Sequence, residues 1–199
     1  MRSGECGVRN DRVFQCKVTL RGSKPPIWRR FQVPDDVTLE HFHFALQIVM
    51  GWSNSHLHEF MIGDESYGEP HPDYDGEVQD ERKITLRRVA SSEGARFLYI
   101  YDYGDNWQHI VQVEKILRRD PEMRYPVCLA GKRACPPEDC GGIWGYMDLL
   151  EIIGNPKHKE YRGMMEWLGG EFDPEKFSLD GVNNRLADFP PEWIVDPDD

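Results

Sequence analysis

The chain has 199 residues, 39% of them hydrophobic and 12% aromatic, which is enough for a packed core and too aromatic for a disordered chain. Its formal net charge of −11 argues against nucleic acid as a partner, and the small basic group Arg21, Lys24, Arg29 and Arg30 does not reverse that. No run of roughly 18 apolar residues and no signal-peptide core is present, so a cytoplasmic protein with no membrane partner is expected.

Val13 to Leu20 reads as a strand, Gly22 to Pro26 as a loop and Ile27 to Val33 as a second strand. Thr38 is a fair N-cap for a helix in which Leu39, Phe42, Leu46 and Val49 recur at helical spacing, and Gly51 stops it. This hairpin-then-helix opening is compatible with a β-grasp-like start and with other α+β folds. Residues 51–62 read as a turn feeding a strand, with Trp52 in the core. On a strand, His56 and His58 would share a face and both reach one metal. Gly63 to Glu81 reads as a long acidic excursion pinned by Tyr67 and Tyr74, and Ile84 to Val89 as a short strand or ordered turn.

Phe97 to Glu114 is the clearest strand pattern. Aromatics fall at alternate positions up to Tyr103, and Trp107, His109, Val111 and Val113 alternate after a Gly104-Asp105-Asn106 turn. A two-residue loop would set Asp102 opposite His109, at about 5 Å between Cβ atoms, and a three-residue loop would set Tyr101 there. An Asp–His pair is either the base end of a catalytic set, a metal ligand with its orienting partner, or a structural hydrogen bond. His56, His58, Asp102 and His109 are the candidate ligands of a shared metal, with Asp102, His109, Asp105 and Glu114 the candidate catalytic groups.

The cysteines suit free thiols or metal ligands in a reducing compartment. Cys128, Cys135 and Cys140 are separated by six and four residues, which is not the knuckle of common zinc sites, but three thiols with Asp139 or His158 still outline a weaker, separate metal candidate. Buried thiols ordering a loop are the alternative. Either cluster would take a divalent metal such as zinc. The remainder reads as helical: Trp144 to Ile153, then a helix capped by Asn155-Pro156 up to Gly169-Gly170, a short one after Asp173-Pro174, and a turn at Asn183 to Ala187. The expected organisation is a flexible start over residues 1–12, one α+β domain over 13–190, sheet-rich to 127 with the cysteine loop and helices over 128–190, and an acidic tail over 191–199.

In order along the chain, IWRRFQVP, GWSNSHLHEFMIGDESYG, YIYDYGDNWQHIVQVE, CLAGKRACPPEDCGGIWGYMDLLEII and FDPEKF resemble the Ri-plasmid open-reading-frame-three family, whose members are also labelled TnpR-like passenger proteins of insertion elements. The resemblance spans Val13 to Leu186. It implies an α+β fold with a mixed, mainly antiparallel sheet and helices packed on it, and it brings no agreed activity. By family pattern it singles out His56, His58, Asp102, Asp105, Trp107, His109, Glu114, Cys135 and Cys140 without roles. A recombinase needs a nucleophile among arginines that neutralise the scissile phosphate. Ser53 and Ser55 have none nearby in sequence, and Tyr99, Tyr101 and Tyr103 sit in a core-like strand. Three classes remain: a non-catalytic module binding a protein partner, which is the expectation; a metal-dependent hydrolase or phosphodiesterase; and a DNA-processing accessory protein of transposition.

Overall fold

The computed structural model describes residues 12–70 and 78–188. The flexible start (apart from Arg12), Tyr74 and the acidic tail lie outside those residues. β1 (Arg12–Leu20) and β2 (Trp28–Pro34) form an antiparallel hairpin, from Val13 opposite Pro34 to Thr19 opposite Trp28. Arg12, expected in the flexible start, is the first residue of β1. Helix α1 (Leu39–Met50) follows, with Thr38 Oγ1 accepting the His41 N–H at 3.2 Å and Gly51 closing it at φ 108°, the left-handed conformation that costs glycine least.

The remaining strands are β3 (His58–Ile62), β4 (Glu65–Gly68), β5 (Val78–Asp80), β6 (Arg96–Tyr101), β7 (Trp107–Arg118) and β8 (Val127–Lys132). A 3-10 turn, Glu81–Lys83, and a short helix α2 (Leu86–Val89) link β5 to β6. The sheet order is β5-β4-β3-β6-β7-β1-β2-β8, with the β4–β5 pair the only parallel one among the described residues, so the sheet is mixed and mainly antiparallel as expected. Helices α3 (Gly142–Ile153), α4 (Tyr161–Trp167) and α5 (Leu179–Ala187) complete the described fold.

Alternation along the strands builds the core. Phe14, Cys16, Val18 and Leu20 of β1, Phe97, Tyr99 and Tyr101 of β6, and Trp107, Val111 and Val113 of β7 are all buried. Helix α1 covers this face. Its Phe42 ring lies 5.9 Å from Phe31, 6.0 Å from Phe60 and 6.1 Å from Phe97, and burying such a ring is worth roughly 2–3 kcal/mol.

Several expectations need correction. The acidic excursion is partly sheet: β4 pairs with β3, and β5 with β4. Its hydrophobic alternation is too short to show in sequence. The start of the cysteine stretch is β8, which pairs with β2. Asn155 caps only a turn, its Oδ1 accepting the Lys157 N–H, and α4 begins at Tyr161. Asp173 likewise caps a turn, whereas the last helix is longer than expected and is capped by Ser178. Among the described residues, no helix is long and apolar enough to cross a membrane.

Candidate functional site

The hairpin register differs from both alternatives. β6 and β7 pair with Tyr99 opposite His109 and Tyr101 opposite Trp107, so Asp102 to Asn106 forms a five-residue connection. Asp102 and Asn106 both take positive φ (58° and 54°), a conformation that Asp and Asn tolerate through local side-chain hydrogen bonds and that ends the ladder early. Asp102 therefore does not face His109. Its Oδ1 accepts the Gly104 N–H at 2.8 Å.

His109 is fully buried on the core face of β7, in line with Trp107, Val111 and Val113. Its Nε2 accepts the Trp52 indole N–H at 3.2 Å, and its Nδ1–H donates to the Tyr99 carbonyl at 3.3 Å, which makes it a neutral imidazole with both nitrogens engaged. Burial pushes its pKa down to about 4, against the opposing pull of its backbone hydrogen bonds. It is a core residue, removed from the other candidate ligands.

His56, His58 and Asp102 do line one cleft, of about 1020 Å³, between the N-terminal half of α1, β3, β4 and the β6–β7 turn. His58 lies on β3, but His56 sits in the loop before it, so the two do not share a strand face. His58 Nε2 contacts Glu81 Oε2 at 2.8 Å, and its ring stacks on His43 with centroids 3.4 Å apart and planes 7° apart. Gln47 Nε2–H donates to the Tyr99 hydroxyl at 2.7 Å, so the Tyr99 O–H donates to His43 Nδ1 at 2.8 Å, and His43 Nε2–H donates to Asn54 Oδ1 at 2.7 Å. Both ring nitrogens of His43 are thereby satisfied with the imidazole neutral. Burial first, and then the neighbouring His58, hold the His43 pKa down at about 3.

A second hub gathers on Glu138, beside Ser55 of the cleft lining. Glu138 accepts the Ser53 N–H (2.7 Å), the hydroxyls of Ser53 and Ser55 (2.6 Å each) and the Tyr101 hydroxyl (3.0 Å). Burial alone would raise its pKa, but these hydrogen bonds outweigh it and hold the carboxyl below the usual carboxylate range. Among the described residues, the ligand-type atoms of His56, Asp102 and Asp139 lie within 4.8 Å of one another.

The other candidates make contacts away from the cleft. Asp105 Oδ2 accepts the Gly141 N–H at 3.2 Å and ties the hairpin turn to the start of α3. Glu114 takes a bidentate pair of hydrogen bonds from Arg30 (2.6 and 2.8 Å) and one from Gln15 (3.0 Å). The Arg30 contact holds its carboxyl low, and Glu114 does not line the cleft. Cys128 Sγ contacts the carbonyls of Arg30 and Ala130, and burial pushes up the thiols of Cys128, Cys135 and, to about 12, Cys140. No group of three potential ligands among the described residues includes these cysteines. His43, Glu81 and Glu138 are the site residues that the sequence did not single out. His43 has a visible signal: it adjoins Phe42 on the buried stripe of a helix.

A family model described as the plasmid pRiA4b ORF-3-like protein matches residues 12–181. The chain belongs to this family. It is 34% identical over 185 residues to the uncharacterized protein y4hQ of Sinorhizobium fredii, covering 91% of this chain and 94% of that one. The crystal structure of MM3350 from Methanosarcina mazei Go1, a protein of unknown function, matches 86% of this chain and 98% of its own at 40% identity, with a TM-score of 0.77.

Proposed function

We propose that the protein is a cytoplasmic, mobile-element-associated binding module whose cleft takes a basic side chain, lysine or arginine, from a protein partner. The carrying observation is the crowding of carboxylates there. Glu40, Glu59, Glu69, Glu81 and Asp102 line the cleft, with Arg82 the only Lys or Arg among its described lining residues. Burial, and then Glu81, Asp80 and Glu69, push the Glu40 pKa up against the pull of Arg82. A guanidinium or ammonium entering there would relieve that repulsion, and low-dielectric walls would strengthen the attraction.

The test is binding of a fluorescent Lys/Arg-rich peptide, with a Glu/Asp-rich peptide and duplex DNA as competitors. The basic peptide is expected to bind in a salt-sensitive manner, and the Glu40→Gln/Glu69→Gln double variant to weaken it at least about tenfold. Equal binding of both peptides, or no effect of the variant, would refute the reading. Salt-dependent duplex binding would instead favour the DNA-processing accessory role of the TnpR-like label.

A metal-dependent hydrolase is the second reading, favoured by the common cleft of His56, His58 and Asp102. It has lost its fourth residue, because His109 is enclosed and hydrogen-bonded at both nitrogens. Asp105 and Glu114, its candidate bases, are held by Gly141 and Arg30.

A further inference from the structure

His56 Nε2 is buried without a hydrogen-bond partner, which is unusual for a ring nitrogen among acceptors. Three carboxylate oxygens surround it: Asp139 Oδ1 at 3.4 Å, Asp102 Oδ2 at 3.8 Å and Glu138 Oε2 at 3.8 Å. No hydrogen bond forms to any of them. Among the described residues, no Lys or Arg forms an ion pair with Asp102, Glu138 or Asp139. Three carboxylates thus converge on one imidazole nitrogen that forms no hydrogen bond, with no Lys or Arg paired to them among the described residues.

The spacing has a chemical meaning. Bonds of about 2.0–2.2 Å to a tetrahedral ion put neighbouring ligand atoms roughly 3.4 Å apart. The three atoms of His56, Asp102 and Asp139 all fall within 4.8 Å of one another, so small side-chain movements bring them to that separation. The remaining valences are already assigned. Asp102 Oδ1 is held by Gly104, leaving Oδ2 for an ion. Glu138 is committed to Ser53, Ser55 and Tyr101, so it stays an outer carboxylate beside His56. An imidazole with two carboxylates is a mixed nitrogen and oxygen set, suited to a first-row divalent ion rather than to magnesium or calcium, which prefer oxygen alone.

We propose that His56, Asp102 and Asp139 form a divalent metal site that takes zinc, with water completing the coordination. Two carboxylates and a neutral imidazole balance the ion's charge. The ion would add a link between the loop before β3, the β6–β7 turn and the loop before α3, three segments that already meet through Glu138 with Ser53 and Ser55 and through Asp105 with Gly141. This site shares Asp102 with the carboxylate-lined cleft but does not rest on the basic-partner reading, which is tested at Glu40 and Glu69.

The test uses tag-free, chelator-treated full-length protein titrated with zinc chloride by calorimetry, with elemental analysis of the dialysed product. A single equivalent is expected, together with a rise in thermal midpoint on adding zinc. Asp139 is exposed (side chain 72%), and Asn keeps its left-handed backbone (φ 56°) acceptable, so Asp139→Asn is expected to fold normally. That variant and His56→Gln are each expected to weaken zinc binding at least about tenfold and to abolish the rise in midpoint, while Cys135→Ser and Cys140→Ser leave both unchanged. Failure of the wild type to bind zinc would overturn the proposal. So would full retention of binding by Asp139→Asn and His56→Gln, or its loss in the cysteine variants alone.

Discussion

Arg29 is 2% exposed, yet its guanidinium is fully used. Nε donates to the Val49 carbonyl (2.8 Å), Nη1 to those of Trp28 and Lys132 (2.8 and 2.9 Å), and Nη2 to those of Arg133 and Met50 (2.7 and 3.4 Å). The ring of Phe177 lies 4.5 Å from it. Two of these carbonyls belong to the last turn of α1, where a cation also meets the negative end of the helix dipole. Burial pulls the Arg29 pKa down, but no ordinary pH deprotonates it. Lysine keeps the charge and loses the planar fork, leaving several carbonyls unsatisfied. Arg29→Lys is therefore expected to cost at least about 3 kcal/mol in urea unfolding, although it is nominally conservative. The sequence held a signal for this: Arg29, Phe31 and Val33 share one face of β2 by alternation.

Helix α3 meets the β6–β7 turn through its first residue, Gly142. Its φ is +66°, and a Cβ there would run into the backbone carbonyl of Asp105. Gly142→Ala is expected to lower stability by about 1–3 kcal/mol, because strain and collision add at the same residue. Gly163 in α4 is a contrasting case, since an added Cβ meets nothing within 4 Å. Gly163→Ala is expected to stabilise the protein by about 0.5–1 kcal/mol through helix propensity alone. Thermal melts of the two variants side by side check both signs. Equal effects would mean that the α3–turn contact is not tight.

Two neutral histidines in the core make the whole fold sensitive to acid. His43 and His109 have native pKa values of about 3 and about 4, against roughly 6.5 in an unfolded chain. Below pH 6.5 the unfolded state binds more protons than the native state, so stability falls as pH falls. Their contribution is complete above about pH 6.5 and is lost progressively as pH drops toward about 4 and then about 3. Between about pH 6.5 and 5.5 most carboxylates are still ionised, so the histidines dominate the change in this window. The urea midpoint is expected to fall steadily through it, and less steeply in His109→Gln, which removes one of the two groups. A flat profile in the wild type would show that these imidazoles are hydrated and not buried.

Local chemistry determined the elements. The stripe Leu39, Phe42, Leu46, Val49 between Thr38 and Gly51 specified α1, and alternation specified β1, β2, β6 and β7, because both patterns depend on neighbours in sequence. The family motifs were equally legible. The cleft was only partly so: His56, His58 and Asp102 were singled out from the sequence, but the groups that give them meaning come from far along the chain. Glu81 meets His58 across 23 positions. Glu138 and Asp139 reach His56 only because β8 and the loop after it return α3 to the β6–β7 turn. The register that separates Asp102 from His109 was decided by two left-handed residues in a five-residue connection, a backbone choice that side-chain alternation does not encode. Periodicity records which face a residue takes, and the backbone path of the connection within the packed sheet decides which residue stands across from it.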